Sequence, residues 1–221
     1  MSLEDRARLH AALGERARLA IVDELVTSDR SPAELGDRLG VRSNLLARHL
    51  DVLEGVGLIV RTRSAADGRR KYLRLRPERL AIVYPVTPPV PRRVLFVCTQ
   101  NAARSPLAAV LWQHCTGRPA VSAGTSPAGR VHRGAVSAAR RAGTSLDAVV
   151  PRRLDEAHDL EAGTQVITVC DHARESTAVG DDWWHWSLPD PAVDGTRQAF
   201  DDTVARLRQR IAPFTSKGLA T

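Results

Sequence analysis

The chain has 221 residues, of which 43% are hydrophobic and 26% charged, and its formal net charge is +7. This length and composition suit a globular chain with room for two cores, and no run of about 18 apolar residues is present to span a membrane as a helix. Three cysteines (Cys98, Cys115, Cys170) are too sparse for a disulfide framework, and the charged start Met1-Ser-Leu-Glu-Asp-Arg lacks a signal-peptide pattern, so a cytoplasmic location is expected.

Amphipathic stretches over about 3–12 and 15–26 predict two helices. Ser31-Pro32-Ala33-Glu34 supplies a cap, a proline at the first helical position and a glutamate at the third, and Gly40 stops the short helix that carries Leu35 and Leu39. After Val41-Arg42, Ser43 is expected to cap a further helix with Leu46, Leu50 and Leu53 on one face and Gly55 and Gly57 at its end. Residues 58–63 and 71–75 then alternate like two strands around Ala66-Asp67-Gly68. Two helices at a sharp turn followed by a hairpin predict a winged helix-turn-helix, mostly α with a β-hairpin wing, over 1–83. Residues 58–79 hold eight basic side chains (Arg61, Arg63, Arg69, Arg70, Lys71, Arg74, Arg76, Arg79) against Asp67 and Glu78, a local concentration that points to a polyanion such as double-stranded DNA.

Four prolines in Tyr84-Pro-Val-Thr-Pro-Pro-Val-Pro91 predict an extended linker over 84–91. Over 92–221 short apolar strands alternate with helices: strand 93–98, helix 105–115, strand 120–123, helix 134–142, strand 165–170 and helix 197–211. The runs Val94-Leu-Phe-Val and Val166-Ile-Thr-Val are apolar on both faces, as in a parallel sheet covered on two sides. The series predicts an α/β three-layer domain that binds ligands at the carboxyl ends of its strands.

Cys98-Thr99-Gln100-Asn101-Ala102-Ala103-Arg104-Ser105-Pro106 falls where the first of these strands gives way to a helix. Such a loop turns its backbone N–H groups and the helix N-terminus into one anion cradle, and Arg104 returns after one turn to clamp an oxyanion. The same positive potential is expected to keep Cys98 as a thiolate nucleophile, with Ser105 donating to it and Asn101 tolerating a left-handed backbone. Asp190, in Leu188-Pro189-Asp190-Pro191, is the candidate acid that protonates the leaving oxygen. Cys170 is either a redox partner of Cys98 or a small core residue; Cys115 reads as core. No close His/Cys pair suggests a metal, and His185 among Trp183, Trp184 and Trp186 reads as packing or loop anchoring.

Val94–Pro106, Ser122-Ala-Gly-Thr, Val166-Ile-Thr-Val-Cys-Asp and His185-Trp…Asp190-Pro together resemble the low-molecular-weight tyrosine phosphatase superfamily, in particular its arsenate reductase branch, over about 92–213. The resemblance implies a four-stranded parallel sheet, Cys98 as nucleophile, Arg104 as oxyanion ligand and Asp190 as acid. Ala192 and Val193 stand where phosphatases of that family carry aromatic residues beside a phosphotyrosine ring, which favours a small anion such as arsenate or phosphate. Cys170 matches the second cysteine of thioredoxin-coupled reductases, whereas Thr177 replaces the third. No bound cofactor is implied; an external thiol reductant, small or thioredoxin-like, is.

Ser43-Asn-Leu-Leu-Ala-Arg48-His49-Leu50 through Leu58 resembles the recognition helix of the arsenic-repressor winged-helix family over about 3–80. It implies a homodimeric repressor in which Ser43, Asn44, Arg48 and His49 lie on the reading helix at the operator, and Arg69, Arg70 and Lys71 touch its backbone or minor groove. No cysteine precedes Cys98, which excludes the family's thiolate arsenic site within this half. The expectation that follows is a fused repressor and arsenate reductase in which oxyanion chemistry at Cys98 informs the DNA-binding half. The alternatives are a regulator whose second half only senses an oxyanion, and a phosphatase.

Overall fold

The structure, a computed structural model, describes residues 2–81, 88–154, 163–177, 180 and 182–215. Two compact units divide the chain, Met1–Pro88 and Pro89–Thr221. Residues 84–87 of the expected linker lie outside the described residues.

In the N-terminal unit, helices α1 (Leu3–Leu13), α2 (Arg16–Thr27), α3 (Pro32–Leu39) and α4 (Ser43–Gly55) precede an antiparallel hairpin of β1 (Ile59–Arg63) and β2 (Lys71–Leu75), then a single turn, α5 (Pro77–Leu80). Local chemistry sets these bounds. Ser31 and Glu34 close a capping box on α3, and Gly40, at φ 63°, ends it in the left-handed conformation that a residue without Cβ adopts at little cost. Ser2 and Asp5 close a second box on α1. Leu9, Ile21, Leu25, Leu35, Leu46, Leu50 and Leu53 form the core beneath the hairpin residues Ile59 and Leu73. One expectation fails: Ser43 is already the first helical residue of α4, and Arg42 stands at the cap with no side-chain bond. Extended backbone at Arg42 starts the helix one position early, so the Ser43 hydroxyl lies past the cap, and Asn44 Oδ1 instead accepts from Leu45 N at 2.8 Å.

The C-terminal unit runs β3 (Arg93–Cys98), α6 (Arg104–Thr116), β4 (Ala120–Gly124), α7 (Arg133–Arg141), β5 (Thr164–Thr168), α8 (Asp171–Ser176), β6 (Trp184–His185), the single turn α9 (Pro191–Asp194), α10 (Arg197–Ile211) and a 3-10 turn at Ala212–Phe214. The four strands form one parallel sheet in the order β4-β3-β5-β6. Chain order reverses at β3, whose carboxyl end carries Cys98; a crevice opens at such a switch point because the flanking connections leave in opposite directions. The third strand stops at Thr168, two residues short of the expected Cys170, which instead caps α8. Phe96 packs against Trp112 and Trp186 at centroid distances of 6.0 and 5.6 Å, so Trp186, 1% exposed, belongs to the core. No helix among the described residues is long and apolar enough to cross a membrane.

Candidate active site

The loop 98–105 between β3 and α6 is shaped from outside. The carbonyls of Cys98, Thr99, Gln100 and Ala102 accept from the N–H groups of Thr125, Ser126, Ala128 and His132, at 3.1, 2.8, 2.9 and 2.8 Å. In a trans peptide the N–H opposes the C=O, so a loop whose carbonyls face this outer strap turns the following N–H groups inward. Asn101 N illustrates the result, donating to Cys98 Sγ at 3.2 Å. Gly124 makes the close approach possible, since a Cβ there would stand 2.7 Å from Thr99 O and 2.9 Å from Asn101 N.

Asn101 is the positive-φ non-glycine residue of the loop, at φ 49°. Its buried amide justifies the strain: Nδ2 donates to Ser105 Oγ at 2.9 Å, and Oδ1 accepts from Arg152 N at 3.0 Å. Ser105 Oγ in turn lies 3.0 Å from Cys98 Sγ and 3.3 Å from Ala123 O. The loop residues singled out in the sequence, 98–105, are thus brought together around one sulfur, though Gln100 stays exposed.

Arg104 is 6% exposed and Nη2 donates to Asp190 Oδ2 at 2.7 Å, while Nη1 donates to Leu188 O at 3.3 Å. Asp190 Oδ1 accepts from Ala192 N at 3.0 Å, so one carboxylate oxygen holds the α9 turn and the other meets the guanidinium. The standing thiolate expected at Cys98 meets an opposing effect. Burial pushes the Cys98 thiol above its ordinary value, outweighing the Ser105 hydrogen bond and the Arg104 charge that pull it down. The dominant cause is desolvation: a sulfur closed off from water is poorly solvated as an anion.

Cys170 is fully buried with Sγ 3.2 Å from Thr99 Oγ1, which puts the second thiol against the anion loop. Cys115, half-buried, packs against the core. His185, expected only to pack or anchor a loop, and Asp171, which the sequence did not single out, are both buried, with Nε2 3.1 Å from Oδ1. The signal that could have paired them was a histidine and an aspartate in segments otherwise apolar. Among the described residues no three His, Cys, Asp or Glu side chains gather as a metal-ion site.

In the N-terminal unit, Ser43, Asn44 and Arg48 lie exposed on α4, and Arg69, Arg70 and Lys71 are exposed at the tip of the hairpin. Arg69 pairs with Asp67 at 3.2 Å. His49 is set apart from these, half-buried with Nδ1 3.4 Å from Glu15 Oε2, the carboxylate that caps α2.

Residues 93–220 match the family model described as low molecular weight phosphotyrosine protein phosphatase, and residues 15–70 match that of the MarR family. No curated protein matches the chain. Among solved structures, the tyrosine phosphatase AmsI of Erwinia amylovora is 21% identical over 58% of this chain and 94% of its own, with a TM-score of 0.48. An arsenate reductase from Archaeoglobus fulgidus is 27% identical over 53% and 98%, with a TM-score of 0.43. The tyrosine phosphatase Wzb of Escherichia coli K30, in complex with sulphate, is 18% identical over 55% and 94%, with a TM-score of 0.48.

Proposed function

We propose, for a chain that belongs through residues 93–220 to the low molecular weight phosphotyrosine protein phosphatase family, the function of a DNA-binding repressor fused to a thiol-dependent arsenate reductase. The observation that carries the reductase reading is the second buried thiol, Cys170, set against the anion loop by the Thr99 hydroxyl. Transfer of a phosphoryl group needs one sulfur; reduction of arsenic needs two thiols to supply its electron pair.

The chemistry runs through the residues around Cys98. An arsenate held by the inward N–H groups and Arg104 is attacked at arsenic by the Cys98 sulfur. An arsenic–oxygen bond breaks, and Asp190, when protonated, gives its proton to the leaving oxygen, which departs as water. A second thiol, Cys170 or a small external one, then attacks the Cys98 sulfur. The sulfur–arsenic bond breaks, its electron pair stays on arsenic as arsenite, and the two sulfurs are left as a disulfide. Burial works against ionisation of the Cys98 thiol, and Ser105 Oγ, 3.0 Å from Sγ, is placed to donate to the sulfur anion once it forms.

The MarR-family match supports DNA binding by the N-terminal unit, with α4 as the reading helix and the basic hairpin on the phosphates. The finer likeness to arsenic repressors rests on the Ser43–Leu58 motif, and a homodimer on two half-sites is expected because one recognition helix reads too little sequence. The second reading is a phosphatase, favoured by the description of the matched family.

The deciding experiment is turnover of arsenate by the purified chain with thioredoxin and small-thiol systems supplied separately, beside Cys98→Ser and an aryl phosphate assay. Reduction lost in Cys98→Ser supports the reductase, and the donor used assigns Cys170. Cleavage of the aryl phosphate without arsenate reduction identifies a phosphatase. Neither reaction leaves the unit an oxyanion sensor, which operator binding with and without arsenate and arsenite then tests.

A further inference from the structure

The strand that delivers Asp190 is too short to aim it. β6 has two residues, pairs through Ile167↔Trp184 and Thr168↔His185 at the edge of the sheet, and is followed by one more backbone bond, Trp186 N to Thr168 O at 2.8 Å. From Trp186 to Leu188 the chain then runs buried without regular structure, yet it must present Leu188 O and Asp190 to Arg104 within hydrogen-bond distance.

Beside the packing of Trp186, one polar side chain adds a directional constraint. His185 is fully buried; its Nδ1 lies 2.8 Å from Thr168 Oγ1 and 3.2 Å from Thr168 O, and its Nε2 lies 3.1 Å from Asp171 Oδ1. Thr168 Oγ1 reaches back to Trp184 O at 3.3 Å. The imidazole therefore spans the whole turn 168–171. That turn is itself fixed to the end of β3, through Val169 N to Val97 O at 2.8 Å, and to the 98–105 loop, through Cys170 Sγ to Thr99 Oγ1 at 3.2 Å. A buried carboxylate and imidazole are costly to desolvate, and an apolar pair of similar volume would hold the fold as well or better. What the polar pair adds is direction.

We propose that the buried His185–Asp171 pair is the positioning element that sets where Asp190 stands, tying the strand that carries the acid to the turn that abuts the anion loop. The proposal rests on Asp190 acting as the acid, and the test separates the two ideas.

Two quantities are measured on the full chain: kcat and KM for whichever substrate Cys98 turns over, and the rate at which iodoacetamide alkylates Cys98. Asp190→Asn is the benchmark. In the double variant His185→Leu/Asp171→Leu, kcat is expected to fall about 10- to 100-fold, toward that of Asp190→Asn, with KM within about twofold. Alkylation is expected to quicken about as much as in Asp190→Asn, because the carboxylate no longer faces Arg104. His185→Gln, which keeps a donor toward Asp171, is expected to recover most of kcat. A kcat that stays at the wild-type value while Asp190→Asn loses activity overturns the positioning role. So does a kcat that falls only with the folded fraction reported by tryptophan fluorescence. If the double variant does not fold, Asp171→Leu alone is read in its place, with a kcat lowered about 10-fold at a KM within about twofold supporting the role and wild-type-like kcat and alkylation overturning it. Should Asp190→Asn alter neither quantity, the acid assignment fails, and the positioning role falls with it.

Discussion

In the N-terminal unit, the polar contacts that set the helices are reached within a few residues: Ser2 with Asp5, Glu15 with Ala17 and Arg18, Ser31 with Glu34. In the C-terminal unit, the contacts that shape the anion loop join residues far apart in the chain, Asn101 with Arg152 across 51 positions, Thr99 with Cys170 across 71 and Arg104 with Asp190 across 86. The first unit is assembled from local preferences and then packed. The second makes its site only when the whole sheet has closed, because no local signal holds the loop's partners near it. Damage should accordingly stay local in the first and spread through the site in the second.

The sharpest separation concerns chemistry. Cys98→Ser is expected to lower turnover about a thousandfold or more while leaving operator affinity without oxyanion unchanged, checked by steady-state kinetics beside a DNA-binding titration. Next in size is the pH response of the same thiol. Since burial raises its titration, alkylation of Cys98 in the folded chain should climb about tenfold per pH unit from 7 through the ordinary thiol value of about 8.5 and continue beyond it. The folded thiol keeps a proton that the unfolded thiol releases, so this unit's stability is full below the ordinary value and declines as pH rises toward the raised one. A rate already saturated at pH 7 would mean that the loop's positive potential wins.

Gly124→Ala brings a Cβ to 2.7 Å of Thr99 O, and a backbone neighbour cannot give way as a flexible side chain does. A loss of about 1–3 kcal/mol is expected, together with weakened anion binding. All four tryptophans, at 112, 183, 184 and 186, lie in the C-terminal unit, so their fluorescence reports this loss without interference from the other unit. Charge on the hairpin comes next: removing Arg69, Arg70 and Lys71 together should flatten the salt dependence of DNA binding by about 0.9 in log–log slope for each phosphate left without its cation. The smallest effect belongs to the most local interaction. Ser31→Ala opens one capping box and should cost about 1 kcal/mol, visible in far-ultraviolet circular dichroism and absent from the tryptophan signal. A shift of that signal would show the units to be coupled in stability.

The same contrast explains what the sequence disclosed. Ser31-Pro32-Glu34 and Gly40 marked α3 because caps act over three or four residues, and Cys98, Arg104 and Ser105 were legible because one loop holds all three. The partners that give the loop its form were not legible. Nothing near Asn101 announces Arg152, nothing near Arg104 announces that Asp190 holds it, and a two-residue strand such as β6 is too short for alternation to show. The cap expected at Ser43 failed for a related reason, since one residue of extended backbone at Arg42 moves a helix start and no spacing rule reads a single dihedral angle.

The salt bridge between Arg104 and Asp190 has a last consequence. On the function proposed above, its carboxylate is a tethered anion on the group that an incoming oxyanion would reach, so a ligand there would compete with a rival it can never dilute away. Affinity for free phosphate is then expected to be lowered by the fraction of time the bridge is closed, and product release to be hastened as the bridge re-forms. A site so arranged gives up tight binding in the ground state and answers only to anions present in quantity or held by more than their charge.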